Sequence, residues 1–272
     1  MKKILLLLGI CLAFSCGSQK VNGSRIVTTE KTRLLDFNSI EISGDFDVEL
    51  KKGSTALMKV KADDNLHRII QGEVVNQVLY IKPTKRIGRS KSQEIEITYP
   101  QDLQKIILNE NVELETEGEL YTEELKVELA DRAKAYLTIT ATRFDLFSNG
   151  KSIVELNLTA ENAYFQLNKS SGIKALVNSP SFNVDMYEKA SARIEGETNN
   201  FQLRAEHSSD FKGKRLTANE AVVVAEGKTK IEVEVLKQLS LTAKNRAEIK
   251  LYGTPKIDLV EFSEKAVLAK KN

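Results

Sequence analysis

The 272-residue chain reads as an all-β protein: a parallel β-solenoid of rungs about nineteen residues long, preceded by a β-rich cap. Two observations predict this. Apolar and small residues return at a fixed interval through the second half, and the segments between turn residues alternate apolar with polar, as strands with one buried face do. Energetics then require the units to stack. Nineteen residues bury about four to six side chains at ~1.5–3 kcal/mol each, which falls short of an ordering cost near ~1.5 kcal/mol per residue, so no unit folds alone. Stacked units cover one another and place equivalent residues ~4.8 Å apart.

The first element is a leader. Met1-Lys2-Lys3 precedes an apolar run from Ile4 to Phe14 that ends in Ser15-Cys16-Gly17-Ser18. This is a charged start, a short apolar core and a small-residue cleavage site, too short to span a bilayer. Residues 1–15 read as a signal peptide, with Cys16 as the lipidated first residue of the mature protein. An ordinary secretory cut near Ser15 is the alternative. Cysteine count favours lipid: Cys11 leaves with the leader, so Cys16 would otherwise be an unpaired thiol in an oxidising envelope. Several acyl chains on one cysteine give a stable anchor, since each buried CH₂ contributes about 0.8 kcal/mol. Residues 16–25, with Gly17, Ser18, Gly23 and Ser24, form the tether.

Residues 26–107 are the N-terminal β-rich part. Ile40–Ile42, Phe46–Leu50, Met58–Ala62, Val78–Ile81 and Ile95–Tyr99 alternate as strands, separated by turns at Ser43-Gly44-Asp45, Lys51-Lys52-Gly53-Ser54 and Asp63-Asp64-Asn65. Leu66 to Gln71 reads as a short helix capped by Asp64 or Asn65.

Residues 108–257 carry the rungs, and 258–272 a tail or cap. Aligned on one apolar residue, the rungs are anchored at Ala135, Val154, Ile173, Ala192, Phe211, Ile231 and Ala247, spaced 19, 19, 19, 19, 20 and 16. Two residues earlier stand the small or short residues Ala133, Ser152, Ser171, Ala190, Ser209, Thr229 and Asn245, which suit a corner. A second apolar column runs Leu125, Phe144, Phe165, Phe182, Phe201 and Leu239. Seven or eight rungs would give a length on the order of 35 Å.

Four stretches carry a family resemblance: Phe37–Leu50, Val60–Leu66, Ile95–Pro100 and Leu251–Pro255. With them, residues 35 to 257 resemble the head GIN domain family of auto-transporter adhesins. The corners depart from the family's Ser-Gly-Ser-Gly-Asp pattern, since Asp131-Arg132-Ala133-Lys134 and Glu188-Lys189-Ala190-Ser191 are charged; Ser170-Ser171-Gly172 and Ser208-Ser209-Asp210 stay close. The resemblance implies a β-solenoid envelope protein, with adhesion as an analogy.

The chain carries little recognisable catalytic chemistry. His67 and His207 lie in different halves and read as polar surface residues, so neither a metal site nor a catalytic site is expected, and no cofactor. Glu155, Glu232 and Glu248 are the carboxylates a carbohydrate-cleaving solenoid would need, but Tyr136, Lys174, Arg193 and Lys212 share their column, as on a solvated face. The Phe144, Phe165, Phe182 and Phe201 ladder reads as core. Tyr121, Tyr136, Tyr164 and Tyr187 are the candidates for stacking on a ligand. A formal net charge of +2, which falls to zero without Lys2 and Lys3, gives no reason to expect nucleic acid.

The reading is a lipid-anchored, non-enzymatic envelope protein that presents a solenoid surface to a protein or polysaccharide. A carbohydrate-active enzyme on the same scaffold and a structural lipoprotein without a ligand are the rivals. Gly17-Ser18-Gln19-Lys20 lacks an acidic cluster, which favours the periplasmic face of the outer membrane over the cell surface.

Overall fold

The computed structural model describes residues 20–271, so the leader, Cys16 and the first residues of the tether lie outside it. The chain winds into a succession of front strand, bend, back strand and tight corner, repeated over about 9 turns. One turn is seen in Gly172–Asn178 on the front sheet, Ser181–Met186 on the back sheet and the corner at 187–190. In neighbouring turns, front and back segments join across the bend into single long strands such as Ile153–Leu167 and Ser191–Ala205. Pairing is parallel and in register: Val154 lies beside Ile173, and Ile173 beside Ala192.

The turns outnumber the seven or eight read from the repeats because the N-terminal part joins the stack. Ser39–Gly44 and Asp47–Lys52 form one complete turn. Val78–Pro83 and Gln93–Tyr99 lie against it on one side, and Lys105–Glu110 and Glu113–Thr116 on the other. The chain therefore makes a turn, returns beneath it, and only then climbs. Antiparallel strands close the lower end: Leu57–Asp63 pairs with Gln93–Tyr99, Val27–Arg33 with Leu57–Asp63, and Ile70–Val75 with Val78–Pro83. The short helix expected at Leu66 to Gln71 is instead a 3-10 turn at Asp64–Leu66, and Ile70 already begins a strand. One turn suffices there because Leu66 and Ile69 have only to plug the end of the core.

Asp63 locks this cap. It is fully buried and accepts backbone N–H bonds from Arg25 at 2.8 Å, Lys91 at 2.9 Å and Ser92 at 3.3 Å. Burial pushes its carboxyl up, but those N–H donors and the Lys91 charge together outweigh burial and hold it below its ordinary value. A lowered folded pKa gives stability that is present above the unfolded value, ~3.9, and lost as pH falls through the folded one. Thermal melts should show Asp63→Asn destabilised at neutral pH, with the gap to the parent closing in acid.

The registers correct two columns. Ile231 pairs with Ile249, not Ala247, so the last anchor is Ile249 and the last corner residue is the fully buried Ala247. Phe144 and Phe182 both pair with Ala163, and Phe165 sits two residues along beside Leu146. A shift of two residues preserves the facing of every side chain, so alternation alone could not detect either error. The packing explains the second. Ala163 leaves a hole between Phe144 and Phe182, and Phe165 fills it, meeting their rings edge-on at 6.0 and 4.9 Å. Phe182, Phe201 and Phe211 continue the series at 5.5 Å spacings. Each such ring pair contributes ~0.5–1.5 kcal/mol beyond simple burial.

Candidate functional site

Each turn has two corners of different construction. At the tight corner the backbone enters the left-handed region at Asp131, Lys169, Glu188, His207 and Asn245 (φ 57, 59, 61, 64 and 61°) and at Gly150 and Gly227 (φ 81 and 90°). Most of these residues bear a Cβ that disfavours the conformation. A ladder of backbone bonds compensates: Ser170, Lys189 and Ser208 N–H donate to Gly150, Lys169 and Glu188 carbonyls at 2.9, 2.8 and 2.8 Å. Inside the corner, Ala133, Ser152, Ser171, Ala190, Ser209 and Thr229 are buried, as their size requires.

The bend between front and back sheets is open. Two successive outward residues break the alternation there, as at Glu161 and Asn162, and this reverses which parity faces inward. Hydroxyls tie the bend from within: Ser179 Oγ donates to the Ser181 carbonyl at 2.9 Å, and Thr122 Oγ1 to the Leu103 carbonyl at 2.9 Å. Outside runs a trough of about 1050 Å³, reaching from Lys52 and Asp102 to Leu236. One wall is the register column Tyr121, Thr140, Thr159, Asn178, Glu197 and Thr217. Opposite stand Glu123, Thr142, Glu161, Pro180, Asn199 and Asn219.

The side chains of Thr142, Thr159, Asn178, Glu161 and Glu197 are exposed and make no hydrogen bond to another described residue. They therefore offer hydroxyl, amide and carboxylate groups at strand spacing, ~4.8 Å. At one end Glu119 accepts hydrogen bonds from the Tyr121 and Thr140 hydroxyls, fixing the Tyr121 ring at the mouth. Those two bonds hold the Glu119 carboxyl below its ordinary value.

The four candidate tyrosines do not form one site. Tyr121 is 54% exposed and lines the trough. Tyr136 lies on the front sheet, Tyr164 lies on the back sheet beside Asp185, and Tyr187 opens the tight corner that follows Met186. Tyr164 donates to Asp185 at 2.9 Å and packs edge-on against Phe147 at 5.7 Å. Burial, and then Asp185, raise the pKa of both hydroxyls.

Glu155 and Glu232 occupy one front-sheet column and each pairs with a lysine, Lys174 and Lys250, at 2.9 Å. Glu248 belongs to another column, opposite Lys230, a consequence of the misplaced last anchor. His207 is exposed, but His67 is not the surface residue expected: its side chain is 5% exposed, bonded to Thr28 at 2.9 Å beneath Val27–Arg33. Nearer the cap, Glu94, Asp47 and Glu113, with Glu96, Glu49 and Glu115, stack in register. Lys61, Lys59 and Lys134 pair with Glu94, Glu96 and Glu113. Among the described residues, no group of three or more His, Cys, Asp or Glu is placed to hold a metal, and no helix is long and apolar enough to cross a membrane.

The trough itself escaped the sequence reading. Its signal is the residue five places after each anchor, Thr140, Thr159, Asn178 and Glu197, a column the alignment contains but whose polar character passes for ordinary surface.

The family model described as "Putative auto-transporter adhesin, head GIN domain" matches residues 36–177 and 157–255. No curated protein matches the chain. Among solved structures, a putative adhesin from Parabacteroides merdae superposes with a TM-score of 0.65 at 15% identity, over 93% of this chain and 99% of that one. A putative adhesin from Parabacteroides distasonis gives 0.65 at 17%, over 93% and 98%. A protein from the same species described as a putative lipid binding protein gives 0.65 at 14%, over 93% and 100%. At these identities the likeness is one of fold.

Proposed function

The chain belongs to the head GIN domain family, and from that premise we propose that it is a lipid-anchored, non-catalytic, adhesin-like protein that holds an extended polysaccharide in the trough along its bend. The observation that carries this reading is the row of unpartnered Thr, Asn and Glu side chains repeating at strand spacing beside Tyr121. Regularly spaced hydroxyl, amide and carboxylate groups suit the hydroxyls of a polymer, and an exposed ring suits a sugar face. The family's adhesin description supports binding to something outside the cell or within its envelope.

Anchoring rests on Cys16 and its leader, on the periplasmic face of the outer membrane; the tether is shorter than the 16–25 expected, because Val21 already bridges Ile87 and Arg25 bonds Asp63, which leaves residues 16–20 to span from lipid to fold. Three experiments test the proposal. Cys16→Ser should move the protein from the membrane to the soluble envelope fraction, and protease treatment of intact cells should leave the parent uncut. A glycan array probed with the parent and with Thr159→Ala/Asn178→Ala should show binding by the parent and at least about tenfold less by the variant. Equal glycan binding by both, or capture of a protein with no glycan bound, contradicts the trough as a polysaccharide site.

A further inference from the structure

The trough along the bend carries negative charge, and that charge is spaced. Glu123, Glu161 and Glu197 line it, all three exposed and none bonded to another described residue. Among the described residues lining it Lys52 is the one cation, and Asp102 holds it at 2.8 Å. The carboxylates stand on alternate turns. Glu124, Arg143 and Asn162 lie side by side, so Glu123, one residue earlier, is two turns from Glu161 on the same wall. Thr159, Asn178 and Glu197 also lie side by side, so Glu197, on the opposite wall, is two turns beyond Glu161. In the turns between, both walls are uncharged: Thr140 and Thr142, then Asn178 and Pro180. Two strand spacings make ~9.6 Å, and four make ~19 Å.

Resting on the reading of the trough as a polysaccharide site, we propose that its occupant is an amine-bearing chain, an extended β-linked polymer of hexosamine whose ammonium groups meet Glu123, Glu161 and Glu197. Three observations choose that class. The free carboxylates offer only acceptors, and an ammonium offers only donors, so the two pair without leaving a group unmatched. No free cation lines the trough to receive an acidic sugar, and a uronic acid chain laid there would place carboxylate against carboxylate. The spacing also fits. Two hexoses of an extended β-linked chain cover nearly the two-turn distance, and successive sugars turn over, so their amino groups point alternately to the two walls. A chain with an amine on each sugar therefore serves Glu123 and Glu161 on one wall and Glu197 on the other. A hexamer is long enough to reach all three carboxylates, and a dimer at most two.

Calorimetric titration of the full chain with three β-linked hexamers, of glucosamine, of glucose and of mannuronic acid, tests this in mildly acidic buffer that keeps the amines protonated. The glucosamine hexamer should bind at least about tenfold more tightly than the glucose hexamer or the glucosamine dimer, and the uronate should not bind. Glu161→Gln/Glu197→Gln should weaken the glucosamine hexamer by about tenfold. Glu188→Gln/Glu264→Gln, which removes the same charge at the tight corners, should change it by less than about twofold. All four positions are exposed, so folding is not at stake. A glucose hexamer that binds as tightly as glucosamine, and is weakened by Thr159→Ala/Asn178→Ala, overturns the selection for amines while the trough stands as a polysaccharide site. Preference for the uronate, or equal losses in the two glutamate variants, overturns the proposal as well. So does binding of none of the three hexamers, the glycan array then deciding the broader reading alone.

Discussion

The tight corner and the bend occupy equivalent places in every turn, yet one is a joint and the other a surface. At the corner, small residues are buried and the backbone is forced into the left-handed region, with carbonyls and N–H groups spent on the next rung. At the bend, the hydroxyls of Ser179 and Thr198 secure the chain from inside, and the outward side chains of Thr142, Thr159, Glu161, Asn178 and Glu197 are left without a partner among the described residues. The contrast teaches that a repeat fixes residue types where space is short and frees them where the chain meets solvent.

Substitutions separate the two. The largest effect is expected from Ala190→Leu: at a fully buried corner position between Ser171 and Ser209, three extra carbons should cost about 3 kcal/mol in denaturant unfolding. A smaller effect of opposite sign should follow Lys169→Gly. With φ at 59°, losing the Cβ should stabilise the fold by about 0.5–1 kcal/mol, provided the ladder to Lys189 persists. The smallest belongs to the bend, where Thr159→Ala/Asn178→Ala should move stability by less than about 0.5 kcal/mol, because neither side chain is buried or bonded. A loss of 2 kcal/mol there would mean the trough is structural, and the distinction between the corners would fail.

The same contrast explains what could be read in advance. The corner column from Ala133 to Thr229 was legible because only small side chains fit beneath the next rung, and size shows in a sequence. The left-handed column was not: apart from Gly150 and Gly227 it is written in Asp131, Lys169, Glu188, His207 and Asn245, residues that look like solvent-facing charge until the backbone is seen. The Phe165 displacement was hidden by parity, and a hole at Ala163 becomes visible only when three turns are stacked. The N-terminal turns were obscured because Val78–Pro83 and Gln93–Tyr99 pass beneath Ser39–Lys52 out of chain order, so no interval links them. The trough, built of Thr, Asn and Glu, has the composition of any exposed strand, and only register turns those residues into a row.

Amide chemical-shift mapping during titration with a polysaccharide identified on the array measures the central claim directly. Shifts should concentrate at Thr140, Thr159, Asn178 and Glu197 along the bend and be absent from Asp131, Gly150, Lys169 and Glu188 at the tight corner. Shifts confined to the corner, or to the surroundings of Tyr164 and Asp185 on the back sheet, would contradict the assignment of the bend as the binding surface.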